Sequence, residues 1–180
     1  MMNIILRPWT RADAPALVAA AASSPDLAPQ FGDVALHSLE VAEIFIDESL
    51  RFDATAKNWA VVEEGVAVGN VGASAIDFRH ESAWMYYWLA AAARGKGYAT
   101  AGLLAASNWA FRNGLHRLEL GHRINNPASC RVATAAGYQP EGIEREKLRY
   151  CDTRYDVETH ARLASDPTPS THAPALPLVG

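Results

Sequence analysis

The feature that most restricts the fold of this chain is a glycine-rich loop between a strand-like and a helix-like segment. The loop is RGKGYAT at residues 94–100; it follows the aromatic run AWMYYWLA at 83–90 and leads into a helical stretch at 99–111. Glycines let a backbone turn sharply, and a helix N-terminus adds unpaired N–H groups and a partial positive charge. The segment is therefore suited to an anion such as a pyrophosphate, with Arg94 and Lys96 as phosphate partners or as ordinary solvated cations.

The other segments are short and predict the element order βααβββαβαββ. Two β-branched runs at 58–63 and 66–76 are joined by a tight turn and predict a hairpin. Gly69 and Gly72 lie inside the second run, which predicts a bulge or a close backbone approach, or else a poorly packed edge strand. The Asn-Pro pair at 126–127 predicts the N-cap and first residue of a short helix.

Length and composition indicate one globular domain followed by a flexible end. The chain has 180 residues, of which 49% are hydrophobic and 20% charged, values typical of a single folded domain. Residues 165–180 hold four of the ten prolines. We therefore predict a folded domain at 1–164 and a proline-rich disordered tail at 165–180.

Charge, hydropathy and cysteine spacing argue against several classes of function. The net charge of −4 offers no general attraction for nucleic acid. The longest apolar run, at 83–93, is far shorter than the ~20 residues that span a bilayer. Because the N-terminal residues also lack a secretory signal, we expect a cytoplasmic protein with no membrane partner. Cys130 and Cys151 belong to no CxxC or Cys/His motif, so neither a metal site nor a disulfide is expected.

Two familiar phosphate-binding loops do not match this one. A P-loop needs GxxxxGK followed by Ser or Thr, whereas Lys96 is followed by Gly97. A dinucleotide-binding loop needs GxGxxG, whereas Thr100 occupies the third glycine position and at least three predicted strands precede the loop. Glu119 does lie where a ribose-binding acid is expected, so a nicotinamide-dependent oxidoreductase is kept as an alternative.

A third class of loop resembles this one. The R-x-x-G-x-A motif at 94–99 resembles the (Gln/Arg)-x-x-Gly-x-(Gly/Ala) loop with which the GNAT acyltransferase superfamily binds the pyrophosphate of acetyl-CoA. The surrounding residues and the opening LRPWTRADAPAL at 6–17 resemble the ribosomal-protein N-acetyltransferase (RimJ/RimL-like) branch. The N-x-x-S motif at 126–129 and the Gly-Tyr pair at 137–138 are similar to the fourth-helix signature of that branch. The resemblance covers roughly residues 4–163.

The resemblance implies a fold and a cosubstrate. The fold is α/β (α+β), with a mixed, mostly antiparallel sheet of about seven strands that is splayed between strands 4 and 5 and flanked by about four helices. The cosubstrate is acetyl-CoA, and no metal is needed. The implied cofactor contacts are Trp88, Leu89 and Ala90 at the pantetheine, Arg94, Gly95, Lys96, Gly97, Tyr98, Ala99 and Thr100 at the pyrophosphate, and Asn126 and Ser129 on the fourth helix.

The implied reaction is direct attack of a primary amine on the thioester within a ternary complex. The amine must lose a proton, since alkyl amines have pKa values of ~10 and α-amines of ~8. Glu119 is the predicted proton acceptor, unless it merely pairs with Arg117, and His122 is a second candidate. Ser129 is predicted to protonate the departing sulfur or only to cap its helix, because the tyrosine that many relatives carry seven residues after the signature Asn is Ala133 here. Ala133 also supports an alternative function, a CoA-binding or amine-sensing module without turnover.

The acceptor amine would lie between the loop at 23–36 and the last hairpin around 146–155, as the resemblance implies. It could be a peptide or protein N-terminus or a small molecule, and the protein could be a monomer or a homodimer. Trp84, Tyr86 and Tyr87 are expected to be core or cleft wall rather than catalysts. The predicted acceptor contacts are Phe31, Trp84, Tyr86 and Tyr150.

Overall fold

The computed structural model describes residues 3–32, 34–169 and 175–179, and its elements follow the predicted order. The helices are α1 (Ala14–Ser23), α2 (Leu39–Ser49), α3 (Tyr98–Arg112) and α4 (Pro127–Ala135). The strands are β1 (Ile4–Pro8), β2 (Lys57–Glu63), β3 (Val66–Asp77), β4 (Ser82–Leu89), β5 (Arg117–Arg123), β6 (Gln139–Tyr150) and β7 (Thr153–Leu163). Short 3-10 turns occur at Arg11–Asp13, Pro25–Gln30 and Ala91–Ala93. No helix in these ranges is both long and apolar enough to cross a membrane.

The strands form one mixed sheet in the order β1-β2-β3-β4-β5-β7-β6, which confirms the expected fold class. Every neighbouring pair is antiparallel except β4 and β5, which are parallel. These two strands pair only where Ser82–Trp84 faces Arg117–Glu119. Beyond Trp84 they separate, and this opening in the middle of the sheet positions the site described below.

Hydrophobic side chains pack on both faces of the sheet. Helix α3 covers one face, where Leu103 and Tyr138 are fully buried, and α1 and α2 cover the other around Leu17. Close packing of α3 depends on Gly102, because a Cβ there would lie 2.8 Å from Cγ2 of Val71. The small residue thus lets the helix that begins at the glycine-rich loop lie directly on the sheet.

The two glycines of β3 allow the neighbouring strand to approach closely. A Cβ on Gly72 would lie 2.4 Å from the Tyr86 ring, and one on Gly69 would lie 2.5 Å from the carbonyl oxygen of Trp88. β3 lies between β2 and β4. The close-approach prediction is therefore confirmed, a register shift with β2 falls beside Gly69, and the edge-strand alternative is wrong. The absence of side chains at these two positions leaves room on β3 for the Tyr86 ring and for the backbone of β4 at Trp88.

The C-terminal segment contains packed structure, so the prediction of a disordered tail does not describe residues 175–179. Leu178 forms a parallel bridge with Leu6 of β1, and the Leu6 N–H donates to the carbonyl of Pro177 at 2.8 Å. The Leu176 side chain is buried in the core, and its N–H donates to the carbonyl of Ala101 in α3. The physical reason is that β1 is an edge strand whose outer N–H and C=O groups need partners. Residues 170–174 of the predicted tail lie outside the described residues.

Candidate active site

A cavity of about 640 Å³ lies where β4 and β5 separate. This volume is within the ~300–1,000 Å³ of small-molecule sites. Strand β4 forms one wall, and β5 with α4 forms the other. The glycine-rich loop and the first turn of α3 close one end, while the Pro25–Gln30 turn and the end of β6 border the opening.

Most of the predicted site residues meet in this cavity, but five do not. The predicted residues that line it are Tyr86, Trp88, Leu89, Arg94, Gly95, Gly97, Tyr98, Ala99, Thr100, Asn126, Ser129 and Tyr150, with the alternative base His122. The predicted residues that lie outside its lining are Phe31, Trp84, Ala90, Lys96 and Glu119.

The loop presents the N-terminus of α3 to the cavity. Gly95 and Gly97 have φ of +76° and +83°, and a Cβ at either position would meet no atom within 4 Å. Glycine is therefore required by backbone conformation rather than by space. The first backbone hydrogen bond of α3 runs from the Ala101 N–H to the Gly97 carbonyl at 3.0 Å. Because the N–H groups of a first helical turn have no intrahelical acceptor, Ala99 and Thr100 offer an anion site at the cavity wall.

The two loop cations behave differently. Arg94 lines the cavity, where its Nε donates to the Leu89 carbonyl at 2.9 Å and its Nη1 lies 2.8 Å from a carboxylate oxygen of Asp26. Lys96 turns away, with its Nζ 2.9 Å and 3.0 Å from the two carboxylate oxygens of Glu63. In this arrangement Lys96 does not point to the predicted phosphate site, because its ammonium binds the Glu63 carboxylate.

The aromatic residues of β4 point in different directions. Trp88 faces the cavity, and Phe31 packs edge-on behind it with ring centroids 5.4 Å apart. Phe31 is 4% exposed, so it belongs to the core and not to the predicted acceptor contacts. Trp84 lies where β4 is still paired with β5, below the opening, with the Lys147 ammonium 5.1 Å from its ring. Trp84 therefore does not line the cavity, where its predicted acceptor contact would have to lie.

Two smaller features complete this wall. The Ala90 N–H donates to the Val68 carbonyl at 2.9 Å, so that residue continues the sheet instead of lining the cavity. Tyr86 and Tyr150 do line the cavity. The Tyr86 hydroxyl donates to Asn58 at 2.6 Å, and Arg123 lies 5.4 Å from the Tyr150 ring.

A pair of hydroxyl groups, one from the first turn of α4 and one from β4, meets where the two walls of the cavity approach each other. The Asn126 side chain accepts a hydrogen bond from the Ser129 N–H at 3.2 Å, as predicted for an N-cap. The Ser129 hydroxyl lies 2.5 Å from the Tyr87 hydroxyl, and Tyr87 also donates to the Ser129 carbonyl at 3.2 Å. Burial raises the pKa of Tyr87 to about 12, so its phenol keeps its proton near neutral pH.

The sequence predicts Tyr87 in the core or the cleft wall and gives no sign of this pair. Tyr87 and Ser129 are 42 residues apart and lie on different elements. Arg123 and Arg131, which also line the cavity, were missed as well. Arg131 lies two residues after Ser129 in α4, a spacing that puts the two side chains on different faces of a helix, so the sequence gave no signal for it.

Neither predicted base presents a free basic atom to the cavity. The Glu119 carboxylate accepts a hydrogen bond from the Arg117 Nε at 2.7 Å, and Arg117 also binds Glu141. This is the ordinary ion pair that the sequence left open as an alternative. His122 belongs to the cavity lining, but its side chain is buried, with its Nδ1 facing the Arg123 carbonyl at 3.1 Å and its Nε2 facing His160 at 3.0 Å.

Comparison with known proteins agrees with this geometry. The family model described as an acetyltransferase (GNAT) domain matches residues 3–139. No curated protein sequence matches the chain significantly. The solved structures that share its fold include three acetyltransferases. The microcin C7 self-immunity acetyltransferase MccE, in complex with acetyl-CoA and AMP, is 18% identical with a TM-score of 0.81, over 89% of this chain and 92% of that one.

The other two structures contain coenzyme A. RimL, the ribosomal L7/L12 α-N-protein acetyltransferase, is 23% identical with a TM-score of 0.81, over 91% of this chain and 96% of that one. Mycobacterium smegmatis RimJ is 21% identical with a TM-score of 0.82, over 93% of this chain and 88% of that one. At these identities the likeness establishes a common fold.

Proposed function

Because the chain belongs to the acetyltransferase (GNAT) family, we propose that it transfers the acetyl group of acetyl-CoA to the α-amine of a peptide or protein N-terminus. One observation carries the proposal: a single cavity joins the open N-terminus of α3 to the hydroxyl pair of Tyr87 and Ser129. The first feature suits the phosphates of a coenzyme, and the second suits a departing sulfur.

The cavity offers complementary groups along the length of acetyl-CoA. The N–H groups at Ala99 and Thr100 would hold the pyrophosphate, and Arg94 and Arg131 add positive charge to the lining. The pantetheine would follow β4 beyond Trp84, where β5 no longer pairs with that strand. Trp88 and Leu89 line this part of the cavity and would contact the arm.

The transfer needs few protein groups. The amine nitrogen forms a bond to the acetyl carbon, the carbon–sulfur bond breaks, and the amine releases its proton to water in the open cavity. As the carbon–sulfur bond breaks, the sulfur accepts the Ser129 proton while Ser129 takes the Tyr87 proton in the same step, since the two hydroxyl oxygens are 2.5 Å apart, so no serine alkoxide forms. Solvent restores the Tyr87 proton in turn.

The charge of the cavity favours an α-amine over a lysine-like amine. Among the described residues that line the cavity, Asp26 is the only carboxylate, and Arg94 already binds it. An amine must therefore be neutral largely through its own acidity. At pH 7 about 10% of an α-amine with a pKa of ~8 is neutral, against less than ~0.1% of an amine with a pKa of ~10. The description of RimL as an α-N-protein acetyltransferase agrees with this choice.

The alternative function, a CoA-binding or amine-sensing module, rested on Ala133. This residue is fully buried in the core. At this helical position the alanine packs in the core and offers no hydroxyl. The hydroxyl that faces Ser129 comes instead from Tyr87 on β4. The loss of the helix tyrosine therefore does not argue against turnover.

The test of the proposed function is release of free thiol from acetyl-CoA in the presence of matched peptides. We expect turnover with a peptide that has a free α-amine and none with the same peptide blocked at its N-terminus but carrying a lysine. Thiol release with polyamines and with aminoglycosides is measured in the same way, for comparison with the peptides. Equal turnover with the blocked lysine peptide would contradict the acceptor. Tight acetyl-CoA binding without turnover on any amine would support the sensing module, and binding of NADH in place of acetyl-CoA would support the oxidoreductase.

Glu119→Gln is expected to keep kcat/KM within about threefold of the unmodified protein. The carboxylate lies outside the cavity lining and binds Arg117, and a glutamine oxygen can still accept that hydrogen bond. Loss of a general base would instead lower activity by about 10²–10⁴-fold. Steady-state thiol release with the free α-amine peptide distinguishes the two results. A decrease of 100-fold or more would restore Glu119 as the proton acceptor.

A further inference from the structure

Four side chains with metal-binding chemistry converge behind the cavity wall. His122 lies on β5, Cys130 on α4, and Glu158 and His160 on β7; one ligand atom of each lies within 4.8 Å of all the others. The Nε2 atoms of the two histidines are 3.0 Å apart. A carboxylate oxygen of Glu158 lies 3.3 Å from the first Nε2 and 3.2 Å from the second. The spacing of these residues in the sequence gave no indication of such a site.

The backbone contacts of the two imidazoles determine which of their nitrogens face each other. The Nδ1 of His122 lies 3.1 Å from the Arg123 carbonyl, and the Nδ1 of His160 lies 3.4 Å from the Tyr138 carbonyl. A carbonyl oxygen only accepts hydrogen bonds, so both carbonyls can be satisfied by a proton on Nδ1, and that tautomer leaves a lone pair on each Nε2. In this tautomer two lone pairs and a carboxylate point at one another, and a cation among them would satisfy all three. Metal-binding histidines typically donate their other N–H to a backbone carbonyl in this manner.

We propose that His122, Cys130, Glu158 and His160 form a binding site for a Zn²⁺-like divalent cation. A thiolate, two imidazoles and a carboxylate are ligands that zinc prefers, whereas calcium and magnesium prefer oxygen atoms alone. Zinc–ligand distances of ~2.0–2.3 Å place the donor atoms of a tetrahedral site about 3.3–3.8 Å apart. The histidine and carboxylate atoms are 3.0–3.3 Å apart and all four ligand atoms lie within 4.8 Å of one another, so small rotations of the side chains would complete the tetrahedron.

The burial of the cluster indicates a structural rather than a catalytic role for the metal. The side chains of His122 and His160 are only 4% and 1% exposed, and that of Glu158 is 30% exposed. Four protein ligands leave no position open for a substrate, as in structural zinc sites. The cation would tie α4 to β5 and β7, the thiol of Cys130 losing its proton to solvent on binding. Acetyl transfer needs no metal, so this site stands independently of the proposed function.

The cation is tested with Co²⁺, which replaces Zn²⁺ and reports thiolate ligation by a charge-transfer absorption band. The full chain is treated with a chelator, freed of it, and titrated with Co²⁺ and then Zn²⁺. We expect one Co²⁺ per chain, the thiolate band, and its loss when Zn²⁺ displaces Co²⁺. Zn²⁺ should also raise the melting temperature, since a ligand that binds only the folded state stabilises it.

The two cysteines provide a matched pair of variants. Cys151 is exposed and lies outside the cluster, so Cys151→Ser should keep both the band and the thermal shift. Cys130→Ser should lose the band, and Glu158→Gln should bind Co²⁺ at least about tenfold more weakly. If Cys130→Ser does not fold, the Co²⁺ affinity of Glu158→Gln tests the proposal instead.

Two results would overturn the proposal. One is the absence of both the band and the Zn²⁺-dependent shift in the unmodified protein, which would mean that a shared proton supplies the positive charge. The other is a band that survives Cys130→Ser and disappears in Cys151→Ser, which would place the metal at the exposed thiol. Because these readouts do not use acetyl transfer, their failure is distinguishable from failure of the proposed function.

Discussion

Replacing Gly97 with valine is expected to weaken acetyl-CoA binding by about 100-fold or more while the domain stays folded. Gly97 is the N-cap of α3 and has a φ of +83°. A β-branched residue disfavours this conformation by about 1–3 kcal/mol, so the loop would turn its N–H groups away from the cavity. Hydrogen bonds to a charged phosphate contribute about 1.5–3 kcal/mol each, and loss of one or two accounts for the expected change. Isothermal titration with acetyl-CoA measures it.

Gly114→Val is the matched control because Gly114 follows the other end of α3. Its φ is +90°, and a Cβ there would likewise meet no atom within 4 Å. The two variants should therefore lose similar thermal stability, while only Gly97→Val loses affinity. Unchanged affinity in Gly97→Val, or an equal loss in both, would remove the loop from the cofactor site.

The second large effect is expected from Tyr87→Phe, which should lower kcat by about 100-fold with little change in the KM for acetyl-CoA. The change removes the hydroxyl that lies 2.5 Å from Ser129 but keeps the aromatic ring that packs in the wall. Ser129→Ala should have a similar effect. The double variant should be no slower than either single variant, because residues that act as one unit are not additive. Steady-state thiol release gives all three values.

A second tyrosine–serine pair in the core serves as the control. The hydroxyls of Tyr138 and Ser107 are 2.8 Å apart and fully buried, outside the cavity. Tyr138→Phe should thus lower thermal stability but leave kcat unchanged. If Tyr87→Phe also changed only stability, Ser129 would be a helix cap and the sulfur would leave as the free thiolate.

Local patterns were sufficient to predict most of the fold. The hairpin of β2 and β3, the helix that begins at the glycine-rich loop and the Asn126 cap each depend on neighbouring residues, and each is present. The loop motif also predicted where a glycine turn meets a helix N-terminus, because the two are adjacent in the chain. These features need no knowledge of distant contacts.

The parts of the site that the sequence did not reveal depend on contacts between distant segments. The sequence left Glu119 open as a base or as the partner of Arg117, and in the structure the two are paired, with Arg117 also bound to Glu141 of β6. Phe31 is aromatic in a predicted acceptor loop, yet it fills the core behind Trp88. The four residues of the proposed metal site, His122 among them, come from three elements, and no fixed spacing along the chain marks them. Tertiary packing, which local sequence does not encode, decided each of these cases.

The bridge between Leu6 and Leu178 has a consequence for synthesis on the ribosome. Leu178 is added 172 residues after Leu6, which at ~5–20 residues per second takes roughly 10–35 s. During most of that interval the residues that form β1 and its partner β2 have been made, while the outer edge of β1 has no covering strand. The nascent domain therefore exposes an edge to other chains until translation delivers the segment that closes it.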